Sequence, residues 1–258
     1  MSMTYYECAC KDKTCYSEKI KPCSTEEKDF SIVIPTYNEE KNIPKLVNSL
    51  NSELLGNNYN IIIVDDSSSD KTPDIINQLT KNHNVIALHR KGIKGIFSAI
   101  DDGINLSNSK IIVTMDADFS HPPKKVPELL EHIKKFDIVS ASRFIINGGI
   151  EAPISRKYST TILNKIIRII LGLRLTDYTG GFHAIKKSRF KQLNFKYKSI
   201  WGEFDMELFY RANKLGFRVK EIPFVYKFRT EGPSKSENLL KYAWVYFIRA
   251  LRLRFSNS

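Results

Sequence analysis

Five short β-branched runs set what this chain can fold into. Ser31–Pro35, Asn60–Val64, Val85–Leu88, Lys110–Met115 and Asp137–Ser142 alternate with segments of helical spacing. Ile43, Leu46, Val47, Leu50 and Leu54 form one helical face, and Ile75, Ile76 and Leu79 form another behind a Thr72-Pro73 start. Gly95–Leu106 reads as helix, and Val126, Leu129, Leu130 and Ile133 mark one more. Strands that are apolar throughout, without polar alternation, are buried on both faces. The alternation therefore predicts an α/β fold, a mostly parallel sheet with helices on both faces. After residue 150 the rhythm changes. A basic-apolar helix is expected over 157–171, then a Gly-containing turn at Asp177–Phe182 and a helix over Glu203–Leu215 ended by Gly216. A strand at Phe217–Pro223 and an amphipathic helix at Leu239–Phe255 close the chain.

In an open α/β sheet, ligands bind beyond the carboxyl ends of the strands. Polar residues gather there in this chain. The first run ends in Thr36-Tyr37-Asn38-Glu39, the second in Asp65-Asp66-Ser67, the fourth in Asp116-Ala117-Asp118 and the fifth in Arg143. Alternate residues leaving a strand can bring the Asp116 and Asp118 carboxylates to one cation. Hard oxygen ligands suit Mg²⁺ or Mn²⁺, which would neutralise a diphosphate. The chain has no G-x-G-x-x-G after its first strand and no G-x-x-x-x-G-K-[ST]. Dinucleotide-binding and P-loop chemistry are disfavoured accordingly. A phosphoacceptor reading of Asp65-Asp66 leaves Asp116-Ala117-Asp118 and the C-terminal part unexplained.

Charge adds a second constraint. The 258 residues carry 40 Lys+Arg against 28 Asp+Glu, a net +12, and the length suits one large domain. A basic balance suggests a polyanionic partner. The excess is local, however. Residues 1–155 hold 18 basic and 21 acidic side chains, whereas 156–198 hold 11 basic residues and one acidic, Asp177. That basic block is interleaved with Ile162, Leu163, Ile166, Ile167, Ile169, Ile170 and Leu171. Such a mixture suits a helix lying on an anionic membrane better than a nucleic-acid face, so no nucleic-acid partner is expected. No run reaches the roughly 18 apolar residues of a spanning helix. The expected location is cytoplasmic, peripheral on a membrane.

The four cysteines, Cys8, Cys10, Cys15 and Cys23, all lie near the N-terminus. Their spacing fits no zinc ribbon or finger, and no His stands among them. Residues 1–28 read as a flexible leader.

SIVIPTYNEEKNI, IIIVDDSSSDKT, MDADFSHPP, ASRF, DYTGGF and RTEGPSK together resemble the family 2 glycosyltransferases of GT-A fold, a Rossmann-like architecture. The similarity runs from about Phe30 to Phe255. It is strongest to the dolichol-phosphate mannose synthases and related polyprenyl-phosphate glycosyltransferases. The resemblance implies a nucleotide-sugar-binding half over 29–150 and an acceptor- and membrane-facing half over 151–258. It implies that Pro35, Tyr37, Glu39, Val64 and Asp66 frame the nucleoside. Asp116, Ala117 and Asp118 would hold the diphosphate, with Asp116, Asp118 and Ser120 on a Mg²⁺ or Mn²⁺ ion. Arg143, Arg229 and Lys235 would meet phosphates, and Asp116, Asp118 and Arg143 would carry catalysis.

The implied reaction is inverting transfer of mannose from GDP-mannose to a polyprenyl or dolichyl phosphate. The implied place is a membrane surface, the cytosolic face of the endoplasmic reticulum in a eukaryotic setting, with a small membrane-anchoring subunit as a candidate partner. Alternatives are UDP-glucose or UDP-N-acetylglucosamine as donor, a glycan hydroxyl as acceptor, or a non-catalytic basic module binding membrane or nucleic acid. A hydroxyl acceptor needs a base, for which Glu203, Asp205 and Glu207 are candidates, though they read first as a polar helix face. His121 before Pro122-Pro123 reads as a structural loop residue.

Overall fold

The computed structural model describes residues 6–8, 27–82, 84–91, 95–195, 203–228 and 239–255. The strands are β1 (Tyr6–Cys8), β2 (Lys28–Thr36), β3 (Tyr59–Asp65), β4 (Val85–Arg90), β5 (Ser109–Thr114), β6 (Ile138–Ser142), β7 (Gly149–Glu151), β8 (His183–Lys186), β9 (Val219–Pro223) and β10 (Val225–Lys227). The helices are α1 (Ile43–Glu53), α2 (Thr72–Asn82), α3 (Ile96–Leu106), α4 (Val126–Ile133), α5 (Ile154–Leu171), α6 (Lys187–Gln192), α7 (Phe204–Lys214) and α8 (Leu239–Phe255).

Eight strands form one sheet in the order β1-β4-β3-β2-β5-β8-β6-β9, and β7 with β10 forms a small second one. The expected parallel sheet is present, with β2 parallel to β3 and β5, β3 parallel to β4, and β6 parallel to β9. Two strands break the pattern. β8 lies antiparallel between β5 and β6. β1 pairs antiparallel with β4, Tyr6 opposite Arg90, so the sheet reaches into the stretch read as a leader. Lys28 likewise opens β2 rather than ending that leader.

Alternation along β2 explains why its run is apolar throughout. Ile32 and Ile34 join Ile61, Ile63, Leu46, Leu50 and Leu129 in a core under α1 and α4. Val33 joins Ile62, Val64, Phe97, Ile104, Ile167, Met206 and Tyr246 in a core on the opposite face. Both faces are therefore covered, which removes any selection for polar residues along the strand. Helix α3 sits close because of Gly103. A Cβ there would meet Val33 Cγ1 at 2.5 Å, so any larger residue must push the helix off the sheet.

Local caps differ from the sequence expectation in one useful way. Asp70 Oδ1 accepts the Thr72 amide at 3.0 Å, so Asp70 caps α2. The Thr72 hydroxyl instead accepts the Glu39 amide at 2.9 Å. That bond ties the loop after β2 to the loop after β3. Among the described residues, no helix is long and apolar enough to cross a membrane.

Candidate active site

The carboxyl ends of β2, β3, β5 and β6 share one edge, and the predicted residues sit along it. Thr36 pairs in register with Asp65, and Pro35 with Val64. Pro35 and Tyr37 are half-buried, and Glu39 is buried, its Oε2 accepting Asn42 Nδ2 at 2.7 Å. Val64 is fully buried in the core. Asp66 already has protein partners. It accepts the Gly95 amide at 2.8 Å and pairs with Arg90 at 3.0 Å. Gly95 stands just before α3, so this bond ties the start of α3 to the end of β3.

Arg90 is the largest residue that sequence reasoning missed. Its side chain is fully buried between Asp66 and Asp102, the latter at 3.1 Å, and its Nη2 donates to Ser98 Oγ at 2.6 Å. A lone arginine at a strand end gives no signal of burial. The partners come from the end of β3 and from α3, and they meet Arg90 only in the fold.

The Asp116-Ala117-Asp118 turn follows β5. The Asp116 side chain is 50% exposed, whereas Asp118 and Ala117 are buried. Asp118 Oδ1 accepts the Ser120 amide at 3.1 Å. The Ser120 hydroxyl is buried without a hydrogen-bond partner among the described residues, and the residue serves Asp118 through its backbone. His121 fixes the turn from behind. Its Nδ1 accepts the Asp116 amide at 2.9 Å, which leaves the neutral ring's proton on Nε2, 3.8 Å from Asp116 Oδ2. The ring stacks on Phe182 at 4.8 Å. No group of three or more His, Cys, Asp or Glu that could hold a metal occurs among the described residues. Two carboxylates at one strand end still suit a hard divalent ion that keeps water and phosphate oxygens in its shell. The donor set therefore fits Mg²⁺ or Mn²⁺.

Arg143 lines the same cleft but is not idle. Its Nε and Nη2 donate to Asp177 at 2.7 and 2.6 Å, a bidentate pair, and Nη2 also donates to Thr179 Oγ1 at 2.6 Å. Burial alone would disfavour the charge, but the Asp177 carboxylate more than offsets this and raises the guanidinium pKa. Residues 34 apart carry no local signal that they pair.

A cavity of ≈ 140 Å³ opens in front of this cluster. Asp116, His121, Arg143, Thr179 and Gly180 form one wall. Arg156, Ser159, Thr160 and Leu163 of α5 form a second, and Tyr242 and Ala243 of α8 close the third. Arg156 also packs on Phe228, 5.0 Å from its ring centroid. Charge counting placed Arg156 on a lipid-facing surface, but it turns into the cavity. Arg229 and Lys235 lie outside the described residues.

Glu203, Asp205 and Glu207 are not a polar helix face. All three are buried. Glu207 binds Arg211 Nε at 2.7 Å and also Arg249, which ties α7 to α8. Asp205 accepts the Gly181 amide. Burial first, with Asp177 and Asp116 adding repulsion, pushes its carboxyl up to about 8. His183 stands 3.7 Å away but is driven down to about 3 by burial, so the two are not an ion pair near neutral pH.

A mixed sheet with carboxylates at its strand ends and a cationic cavity beside them defines a sugar-nucleotide-type GT-A enzyme fold. Residues 31–193 match the model of glycosyl transferase family 2, and the chain belongs to that family. It is 34% identical over 209 residues to a dolichol-phosphate mannosyltransferase of Pyrococcus furiosus, covering 80% of this chain and 58% of the relative. The chain thus spans less than two thirds of that protein. It is 32% identical over 209 residues to an undecaprenyl-phosphate mannosyltransferase of Micrococcus luteus, covering 79% of this chain and 85% of the relative. A polyprenol monophosphomannose synthase of Mycolicibacterium smegmatis is 30% identical over 213 residues, with 79% of each chain covered. Among solved structures, glucosyl-3-phosphoglycerate synthase of Mycobacterium tuberculosis with Mn²⁺, UDP-glucose and phosphoglyceric acid superposes at a TM-score of 0.66. At 19% identity, with 88% of this chain and 79% of that one covered, this similarity bears on fold alone.

Proposed function

We propose that the chain is an inverting glycosyltransferase that moves mannose from GDP-mannose to a polyprenyl or dolichyl phosphate. The observation that carries this reading is the cavity itself. It places Arg156, Ser159 and Thr160 across from Asp116 and Arg143, beside helices with exposed apolar faces. An anionic acceptor head would find cation and hydroxyl partners there, with its prenyl chain leaving along α5 and α8. The relatives' names, which pair mannosyl transfer with polyprenyl phosphates, point the same way.

An acceptor phosphate oxygen forms the new bond to the sugar's anomeric carbon as the bond to the diphosphate breaks. The nucleoside diphosphate leaves with the electron pair. A phosphate is already anionic near neutral pH, so no strong base is required. A divalent ion on Asp116 and Asp118 would supply charge against the departing diphosphate. Asp177 holds Arg143 in place, so the guanidinium faces the cavity without having to reorganise.

The test is a panel of GDP-mannose, UDP-glucose and UDP-N-acetylglucosamine with a polyprenyl phosphate and Mg²⁺ or Mn²⁺. Lipid-linked mannose is the expected product. Absence of lipid-linked sugar from every donor would overturn the reading. Product from a UDP-sugar alone would change the donor.

Membrane docking follows from α5 and α8. Ile154, Tyr158, Ile162 and Ile169 are exposed on α5 at successive helical turns, and Trp244 and Phe255 are exposed on α8. Lys157, Lys165 and Arg168 are exposed along the same helix. Apolar residues flanked by cations suit the interface of an anionic bilayer. Each such cation is worth about 1 kcal/mol near an anionic surface, so neutralising these three should weaken binding to anionic vesicles by at least about tenfold. Donor binding should persist, because none of the three lines the cavity. Undiminished vesicle sedimentation of the triple variant would remove α5 from the docking surface. Failure of the parent protein to bind vesicles at all would point to a separate anchoring subunit.

A further inference from the structure

Gly181 sits where three functional elements meet. Its φ is +69°, a left-handed conformation that glycine adopts without strain. A Cβ there would meet His121 Cε1 at 3.4 Å, with Asp116 Oδ1 and Asp205 Oδ2 both at 3.9 Å. The peptide is tied on both sides. Its amide donates to Asp205 Oδ2 on α7, and its carbonyl accepts Thr114 Oγ1 at 3.0 Å from β5. Next to it, Phe182 stacks on His121, whose Nδ1 holds the Asp116 amide.

We propose that Asp205 is a positioning residue: its carboxyl clamps Gly181 against His121 and so sets where the Asp116 carboxylate stands. This rests on the glycosyltransferase reading above, in which Asp116 is a metal ligand. The alternative role, a general base for a hydroxyl acceptor, conflicts with the geometry. A base must come within about 2.6–3.2 Å of the proton it removes. Asp205 is 4% exposed and stands behind the wall made by Asp116, His121 and Gly180. One of its oxygens is already engaged. Asparagine has the same shape and keeps an oxygen acceptor for the Gly181 amide, so it can replace the carboxyl.

The experiment compares Asp205→Asn with Asp205→Leu. Mn²⁺ affinity in the presence of GDP is read by the electron paramagnetic resonance of free Mn²⁺, and turnover is read with a polyprenyl phosphate. Asp205→Asn keeps the acceptor for the Gly181 amide and should stay within about fivefold of the parent in both readouts. Asp205→Leu should weaken Mn²⁺ binding by about 10- to 100-fold, the usual effect of losing a support behind a metal ligand. If the leucine variant does not fold, Gly181→Ala strains the same peptide at its φ of +69° and should give the same loss. A loss of turnover above about a hundredfold in Asp205→Asn, with normal Mn²⁺ affinity, would make Asp205 a base and overturn the proposal. Normal Mn²⁺ affinity in Asp205→Leu or Gly181→Ala would overturn it as well. The Mn²⁺ measurement needs no acceptor, so it decides the matter even if no donor yields product.

Discussion

Asp118→Ala is expected to lower kcat/KM for lipid-linked sugar by at least about a thousandfold, equivalent to about 4 kcal/mol, while the protein stays folded. Asp118 is buried at the strand end, and its Oδ1 accepts a short-range bond from the Ser120 amide. Losing that bond costs stability of about 1 kcal/mol, and relief of repulsion with Asp116 offsets part of it. Catalysis has no comparable compensation. The two carboxylates are the hard oxygen donors at this edge, so removing one halves the protein's hold on a divalent ion. Asp116→Ala should act alike, because its half-exposed side chain faces the cavity. Initial rates with and without excess chelator, beside a Mn²⁺ titration, check both. Full activity in the chelator, or in either variant, would remove the metal from the reaction.

The mostly parallel sheet, the shared carboxyl edge and the Asp116-Ala117-Asp118 turn were all legible from the sequence. The cause is local. Ile/Val runs and the residues that end them lie within a few positions of each other, and period and spacing carry that information. The α8 boundaries, Leu239–Phe255, came out as expected for the same reason. What escaped depends on distant residues. β8 is four residues long and follows a glycine turn, so nothing in its own composition places it antiparallel between β5 and β6. The buried pairing of Arg143 with Asp177 joins β6's end to a turn beyond α5. Arg156 counted as one more cation in a basic block, yet helical phase turns it away from Lys157 and into the cavity. Glu203, Asp205 and Glu207 have the look of a solvated face, yet tertiary packing buries all three, Asp205 against the Gly181 turn and Glu207 against Arg249 of α8.

Arg90→Met should be the most destabilising change at any of these charged positions, by about 3–5 kcal/mol, the usual effect of removing one partner from a buried ion pair. The Arg90 side chain is 0% exposed, while Asp66 and Asp102 are 13% and 16% exposed. Methionine fills much of the volume but leaves two carboxylates facing each other across the vacated site. It also removes one bond each from Ser98 Oγ and from the Gly95 carbonyl, 3.3 Å from Nη1, which keep the 3.0 Å bond between them. For a domain of this size, about 2–4 °C of Tm is lost per kcal/mol, so a fall on the order of 10 °C is expected in thermal unfolding. Lysine should be intermediate, because an ammonium can serve one carboxylate at a time but not the fork that Arg90 makes. Adding Asp102→Asn to Arg90→Met should recover part of the loss, because it removes one of the two orphaned charges. That recovery separates electrostatics from packing, because a pure cavity effect would be additive in the double variant. The donor site should suffer too: Asp66 and the Gly95 loop lose their common anchor, so KM for the sugar nucleotide should rise more than KM for the acceptor. A Tm within about 2 °C of the parent would mean that the Asp66–Arg90–Asp102 cluster contributes little to holding the nucleoside edge of the sheet.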